Sequence, residues 1–261
     1  MRMASYISTL FQEPIAFFDQ AIYRILAVLI GLCFHEFGHA YVAHLCGDDT
    51  AKNMGRMTIN PLAHLDPVGT ILMFFAGVGY AKPVPVNPYN FKGNRVRSDL
   101  LVSLAGICMN LILLILFTIL TVLCSSFMWN KEVIRYYGLS SLVSYRYNVI
   151  WSVIEGKAAD MFGQYIAAPA LIPFVRLFAY TAIINLNLAV FNLIPLPPLD
   201  GYHVFNDLIF KGRFQLSRNA TYIALGLVLI LSYTGVFGRI ISAVIYPVQD
   251  LLLLPVKAIW G

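Results

Sequence analysis

Charged residues are scarce in this chain. Only 12% of its 261 residues are Asp, Glu, Lys or Arg and 59% are hydrophobic, whereas an average soluble domain is about 25% charged. A water-soluble protein of this size cannot bury so much apolar surface, so the composition excludes an ordinary soluble enzyme and a disordered chain. It predicts a membrane protein with several helical spans.

Cysteine pairs and basic runs are also missing. The four cysteines, at positions 33, 46, 108 and 124, form no CxxC pair, so neither a disulfide framework nor a thiolate zinc site is indicated. The N-terminus shows no A-x-A-like cleavage site after a short apolar core, and we expect it to be retained. The net charge of +5 comes without an RNA-binding motif, which predicts no nucleic-acid partner.

Long apolar stretches predict an all-α polytopic membrane protein with about five to six membrane segments. The stretches cover residues 21–46, 98–128, 167–194, 221–236 and 240–256. Residues 68–80 are apolar but too short to span, and prolines flank them, so we expect a short re-entrant or extended element after the first helix. We expect one membrane-embedded domain over residues 1–261, with its core at about 21–210 and a C-terminal helical hairpin at about 217–256.

Basic residues divide unevenly between the two sides that these segments define. The loop 47–97, residues 211–218 and position 257 together hold ten Lys and Arg residues, and the opposite side holds six. Because cytoplasmic loops carry an excess of Lys and Arg, the count predicts that the loop 47–97 is cytoplasmic.

Three ionisable residues lie together inside the first apolar segment. The letters HEFGH at residues 35–39 match HExxH, and residues four apart share one face of a helix. His35 and His39 can therefore bind one zinc ion, and Glu36 can accept a proton from zinc-bound water. Ionisable groups inside a span are costly and by default functional, which favours a metal site over a buried polar network that fixes helix contacts.

A catalytic zinc ion needs a third protein ligand and one open position. His44 lies about 140° around the helix from His39, which puts it on another face. His64 and His203 are possible ligands, but both lie in loop-like sequence. Asp200 closes the proline-rich run NLIPLPPLDG at the end of an apolar segment, on the same predicted side as HEFGH. Asp-Gly is also common in turns, yet the need for a third ligand favours Asp200.

Together these motifs resemble the site-2 protease family of intramembrane zinc metalloproteases. HEFGHA and NLIPLPPLDG match its two metal-binding motifs, and GICMN at residues 106–110 resembles the G-x-x-x-N element of the next core helix. The stretch from Asn60-Pro61 through HLDPVGT to AKPVPVN resembles the region after the HExxH helix in compact bacterial members. The resemblance covers about residues 21–210 and implies a compact form without PDZ or CBS domains. It also implies a bacterial cell membrane and an active site that opens toward the cytoplasm.

The resemblance further implies roles for single residues. Glu36 is implied as the general base. One zinc ion per chain is implied, with the ligands His35, His39 and Asp200. Asn110 and Asn192 occupy motif positions near the site, where a buried amide can bind substrate; an interhelical hydrogen bond explains each equally well.

The predicted function is hydrolysis of peptide bonds within or near transmembrane segments of membrane-protein substrates, in the lipid bilayer. Two alternatives stay open: a membrane metal transporter and a catalytically inactive scaffold. A transporter also places His and Asp in spans, but it needs no Glu directly after the first His. In residues 83–88, Val84 and Val86 alternate with prolines, and we hypothesise that this extended edge pairs with an unwound substrate segment.

Overall fold

The computed structural model describes residues 10–67, 69, 81–214 and 216–260. In these ranges the regular secondary structure is helical, which confirms the all-α fold class. Extended backbone pairs there only in isolated bridges, between Leu65 and Ala81 and between Trp129 and Ile166. Apart from Gly69, the re-entrant element predicted over residues 68–80 lies outside the described residues.

The described part of the chain contains twelve α-helices and four short 3-10 turns. In chain order the helices are α1 (Pro14–Leu45), α2 (Thr50–Asn53), α3 (Arg95–Met128), α4 (Lys131–Tyr137), α5 (Leu139–Val143), α6 (Asn148–Ile154), α7 (Ala158–Phe162), α8 (Ile172–Asn192), α9 (Asp200–Phe210), α10 (Arg218–Tyr233), α11 (Val236–Leu252) and α12 (Leu254–Trp260). The 3-10 turns are Pro61–Ala63, Pro88–Asn90, Gly163–Tyr165 and Pro169–Leu171.

Three helical stretches of the described chain are long and apolar enough to cross a membrane: α1, α3 and Pro169–Asn192, which contains α8. The pair Gly238–Leu252 and Leu254–Trp260 adds a fourth if its 46° bend lies within one crossing. The helix α10 has 16 residues, whereas a crossing takes about 20 residues. The predicted count of five to six membrane segments is therefore not confirmed.

The helices α1, α3 and α8 pack against one another and form the centre of the molecule. Their starts follow from local sequence. Proline occupies the first turn of α1 and of α8, where the missing N–H costs no helical hydrogen bond. The side chain of Asn94 caps α3 by accepting a hydrogen bond from the N–H of Arg97 at 3.1 Å.

An ion pair between a buried arginine and an exposed aspartate joins two of the central helices near the beginning of α1. The guanidinium of Arg176 on α8 lies 2.6 Å from the Asp19 carboxylate on α1 and donates a 2.8 Å hydrogen bond to the Ile154 carbonyl of α6. It also stacks 4.2 Å above the ring of Tyr23. These contacts fix the relative positions of α1, α6 and α8 near the beginnings of α1 and α8.

Candidate active site

Three side chains predicted as metal ligands converge on one point. His35 and His39 lie one turn apart on α1, and Asp200 is the first residue of α9. The two Nε2 atoms are 3.0 Å apart, and Asp200 Oδ2 lies 3.1 Å from His35 Nε2 and 3.3 Å from His39 Nε2. Within the described ranges this is the one group of His, Cys, Asp and Glu side chains that could hold a metal ion.

The dimensions of this triangle fit a zinc ion. Tetrahedral bonds of the usual Zn–N and Zn–O lengths separate neighbouring ligand atoms by about 3.3 to 3.4 Å, and the three edges here measure 3.0 to 3.3 Å. Asp200 Oδ2 is buried and has no hydrogen-bond partner. A buried carboxylate oxygen that makes no hydrogen bond is costly, and a bound cation removes that cost.

Hydrogen bonds behind the two imidazoles set their tautomers. His39 Nδ1 lies 2.7 Å from the main-chain carbonyl oxygen of Val102, which can only accept, so Nδ1 carries the proton. His35 Nδ1 lies 3.1 Å from Asn110 Oδ1 and donates to it in the same way. Both Nε2 lone pairs therefore face the triangle, as in metal sites where the outer imidazole nitrogen is hydrogen-bonded.

Asn110, predicted to bind substrate, is fully buried behind His35. Its contact joins α3 to α1 and is thus an interhelical hydrogen bond, the alternative that the sequence left open. A substrate contact for Asn110 stays a prediction. The role of Val102 has no sequence signal, because the acceptor is a main-chain carbonyl that any residue supplies.

Asn192, the other residue predicted to bind substrate, is the last residue of α8 and is half-buried. Its side-chain amide donates a 3.0 Å hydrogen bond to the Leu188 carbonyl, one turn earlier in the same helix. A tight series of turns over residues 193–199 then leads to Asp200. The substrate contact of Asn192 also stays a prediction.

Glycine allows α3 to approach the triangle. A Cβ atom at Gly106 would lie 2.5 Å from His39 Nε2 and 2.6 Å from His35 Cε1, well inside van der Waals contact. A Cβ atom at Gly38 on α1 would lie 3.0 Å from the Ala105 carbonyl oxygen on α3. Small residues at these two positions let the backbones of α1 and α3 come close together at the level of the site.

Glu36, predicted as the general base, is buried next to the triangle and accepts a hydrogen bond from the main-chain N–H of Val84. The distance from Val84 N to Glu36 Oε2 is 2.7 Å. Sequence reasoning did not foresee this contact, because residues 36 and 84 belong to separate motifs and the donor is a main-chain group. The extended segment 81–87 therefore lies directly against the candidate base.

The remaining histidines of the described chain have other partners. His44 pairs with Asp49, which agrees with its place on another face of α1. The buried His64 lies 2.7 Å through Nε2 from the Thr58 carbonyl. His203 Nδ1 lies 3.2 Å from Asp99 Oδ2.

A second group of titratable residues consists of His203 and Asp207 on α9 and Asp99 near the beginning of α3. Burial, followed by the nearby charge of Asp99, raises the pKa of Asp207 to about 6. The hydrogen bond to Asp99 raises the pKa of His203 as well. Both shifts favour the protonated forms in the folded state, so the contributions of Asp207 and His203 to stability decrease as pH rises through their folded pKa values.

Asp207→Asn is expected to reduce the loss of thermal stability as pH rises. A carboxyl whose folded pKa is raised stabilises the fold fully below its unfolded pKa of 3.8, and this contribution disappears as pH rises through about 6. An amide does not ionise, so the thermal midpoint of Asp207→Asn should fall less than that of wild type between about pH 4.5 and 7.5. Both proteins are measured in detergent, and an equal pH dependence of their thermal midpoints would contradict the raised pKa of Asp207. Any loss of bound metal at low pH would affect both proteins alike.

An HExxH helix whose candidate metal ligands lie among helices that can cross a membrane is typical of membrane-embedded metalloproteases. The chain belongs to Peptidase family M50, the site-2 proteases, whose family model matches residues 23–233. It is an integral membrane protein of this metalloprotease family.

Curated relatives carry names that agree with the family. The chain is 37% identical over 201 residues to "Putative zinc metalloprotease YwhC" of Bacillus subtilis, covering 77% of this chain and 75% of that protein. It is 26% identical over 243 residues to "Putative zinc metalloprotease Rip2" of Mycobacterium tuberculosis H37Rv, covering 92% and 77%. The Rip2 protein of Mycolicibacterium smegmatis is 26% identical over 195 residues, covering 73% and 58%. No solved structure matches the chain.

Proposed function

We propose that this protein is an intramembrane zinc endopeptidase that hydrolyses peptide bonds within or near transmembrane segments of membrane-protein substrates. The observation that carries the proposal is the convergence of three ligand atoms within 3.3 Å of one another. Two of these atoms and a buried glutamate beside them belong to a helix that can cross a membrane. The names of the relatives support the zinc metalloprotease chemistry.

His35, His39 and Asp200 would hold one zinc ion per chain, with a fourth position open to water or substrate. When bound, the ion supplies a Lewis acid that polarises the scissile carbonyl and acidifies its bound water. Glu36 accepts the proton of the attacking water on its carboxylate and returns it to the leaving amine. The N–H groups at His35 Nδ1 and His39 Nδ1 keep both rings in one orientation throughout.

A membrane-spanning substrate suits a site among apolar helices. A substrate helix keeps its carbonyls in internal hydrogen bonds, so it must unwind locally before attack, and the unwound backbone then needs new partners. The hypothesis that residues 83–88 pair with it stays a prediction. Val86 is the donor that remains for such pairing, because its N–H bonds to no described residue, whereas that of Val84 is bound to Glu36.

Cleavage by purified protein tests the proposed function. A reporter with one transmembrane helix is reconstituted with the protein in liposomes, and both cut products and zinc movement are measured. We expect cleavage that stops on chelation and returns with zinc. Zinc transport without cleavage would replace the proposal with a transporter, and neither activity in folded protein would replace it with a scaffold.

We also propose that the loop 47–97 and the opening of the site face the cytoplasm of a bacterial cell. The excess of Lys and Arg supports this orientation. A cysteine introduced into this loop can test the orientation. Asn94 is an unsuitable position for it, because the Asn94 side chain caps α3. Asn53 is exposed on α2, and its side chain bonds to no described residue.

A cysteine at position 53, placed in a background without the four native cysteines, should react with a membrane-impermeant thiol reagent only after the cytoplasmic membrane is opened. The matched control is a cysteine at Tyr136, which is 81% exposed in the region predicted to lie on the opposite side. That cysteine should be labelled in intact cells. The reverse pattern at the two positions would overturn the orientation.

A further inference from the structure

We propose that the main-chain N–H of Val84 positions Glu36 for catalysis, and that Arg56 and Asp48 are positioning residues that hold the segment around it. The proposal rests on the proposed function, since it assigns Glu36 the role of general base. It adds a contact between two sequence motifs, which neither motif identifies by itself.

The first observation is the contact itself. Val84 N lies 2.7 Å from Glu36 Oε2, a length typical of a hydrogen bond to a charged carboxylate. Val84 is 9% exposed and Glu36 is 8% exposed, so water competes little for this bond. Oε1 makes no hydrogen bond within the described part of the chain, which leaves it for the proton of the attacking water.

The prolines on either side of Val84 leave its N–H without a neighbouring main-chain donor and restrict its backbone conformation. Pro83 and Pro85 have no N–H, so Val84 supplies the one main-chain donor of the Pro-Val-Pro unit. The ring of Pro85 also restricts Val84 to extended backbone. Little conformational freedom is left to lose when the N–H meets the carboxylate.

Contacts before and after Val84 fix the segment to the loop that follows α2 and to the α1–α2 connection. On one side, Arg56 Nη2 donates hydrogen bonds to the carbonyls of Lys82 at 2.8 Å and Pro83 at 3.3 Å. On the other side, the buried carboxylate of Asp48 accepts hydrogen bonds from Asn87 N at 2.7 Å and Asn90 Nδ2 at 2.9 Å.

The side chain of Val84 adds an apolar contact to these polar ones. It packs in a small buried cluster with Ala40 of α1 and Ala51 of α2. Ala40 lies one turn after Glu36 on the same face of α1, so the packing places Val84 beside the carboxylate. Polar contacts on both sides and apolar contact beneath hold the N–H at one position.

A general base that is held in this way is already in its reactive orientation before substrate binds. A displacement of about 1 Å in a reacting group can cost up to about 100-fold in rate. We therefore expect loss of the Val84 N–H to lower kcat by about 10- to 100-fold, with little effect on KM, because substrate and zinc contacts are unchanged.

The test compares Val84→Pro, which removes the N–H, with Val84→Ala, which keeps it. Full-length protein is loaded with zinc, its zinc content and thermal midpoint are measured, and kcat and KM are determined on the transmembrane reporter. We expect the proline variant to retain zinc and lose kcat, and the alanine variant to recover kcat. Equal kcat in wild type and Val84→Pro, or an equal loss in both variants, would overturn the proposal.

Variants of Arg56 provide a second test of how the segment is held. If Val84→Pro does not fold, Arg56→Gln decides: it should lower kcat, with partial recovery in Arg56→Lys, and wild-type kcat in Arg56→Gln would overturn the proposal. Absence of cleavage by wild type rejects the proposed function together with this one.

Discussion

Glu36→Gln is expected to retain zinc and to lose turnover almost completely. The side chain of glutamine has nearly the same shape, and its amide oxygen can still accept the Val84 N–H. It cannot accept a proton at neutral pH, and general acid–base catalysis contributes about 10²- to 10⁴-fold to a typical reaction. Because the proposed mechanism uses Glu36 both as base and as acid, we expect the upper part of this range. Zinc per polypeptide and cleavage of the transmembrane reporter are the two measurements.

The control for this variant is Glu132→Gln, which makes the same change at an exposed position on α4. It should match wild type in zinc content and cleavage. Turnover of Glu36→Gln within tenfold of wild type would contradict the role of Glu36, and loss of zinc would show that Glu36 belongs to the metal-binding set instead.

Asp200→Ala is expected to lose zinc as well as activity. Asp200 Oδ2 lies 3.1 and 3.3 Å from the two imidazole nitrogens, and its removal leaves the ion with two protein ligands on one helix. Loss of a residue that only orients a ligand typically costs about 10- to 100-fold in metal affinity. Loss of a ligand should cost more, so we expect a fall in zinc affinity of more than about 100-fold.

Zinc retained after mild chelation of folded, detergent-purified protein measures this effect. Asp207→Asn is the matched control, because it changes an aspartate on the same helix that lies outside the ligand triangle. It should bind zinc like wild type. Zinc retention by Asp200→Ala equal to that of wild type would remove Asp200 from the ligand set. The contacts of His64 with Thr58 and of His203 with Asp99 make neither histidine a ready replacement.

The histidine pair of the site could be predicted from sequence because its spacing is local. His35 and His39 share a helix face by their separation alone, and a zinc ion with two histidines needs a third ligand, which pointed to Asp200. The structure brings these three together. The carbonyl of Val102 and the N–H of Val84 could not be predicted, because every residue offers the same main-chain groups and only tertiary structure selects among them.

The helical class of the fold was also predictable, but the number of spans was not. Hydropathy sums over a window and ignores where a helix ends. The apolar run at residues 221–236 is interrupted because α10 ends at Tyr233 and Gly235 adopts a positive φ of 75°. The run at residues 240–256 is divided by the bend between α11 and α12. Short helices with such interruptions have several possible depths in a bilayer, and composition does not choose among them.

The tautomers of the two histidines have a consequence for electrostatic balance. With both protons on Nδ1, the imidazoles are neutral, so the formal charge of the loaded centre comes from the divalent ion and the carboxylates of Asp200 and Glu36. These charges cancel. Net charge is expensive in a low-dielectric surrounding, so an electroneutral centre is the form that apolar helices accommodate most easily. In the proposed zinc site, the aspartate at the helix end and the glutamate beside the first histidine would therefore share one purpose beyond their separate chemical roles: together they would neutralise the ion.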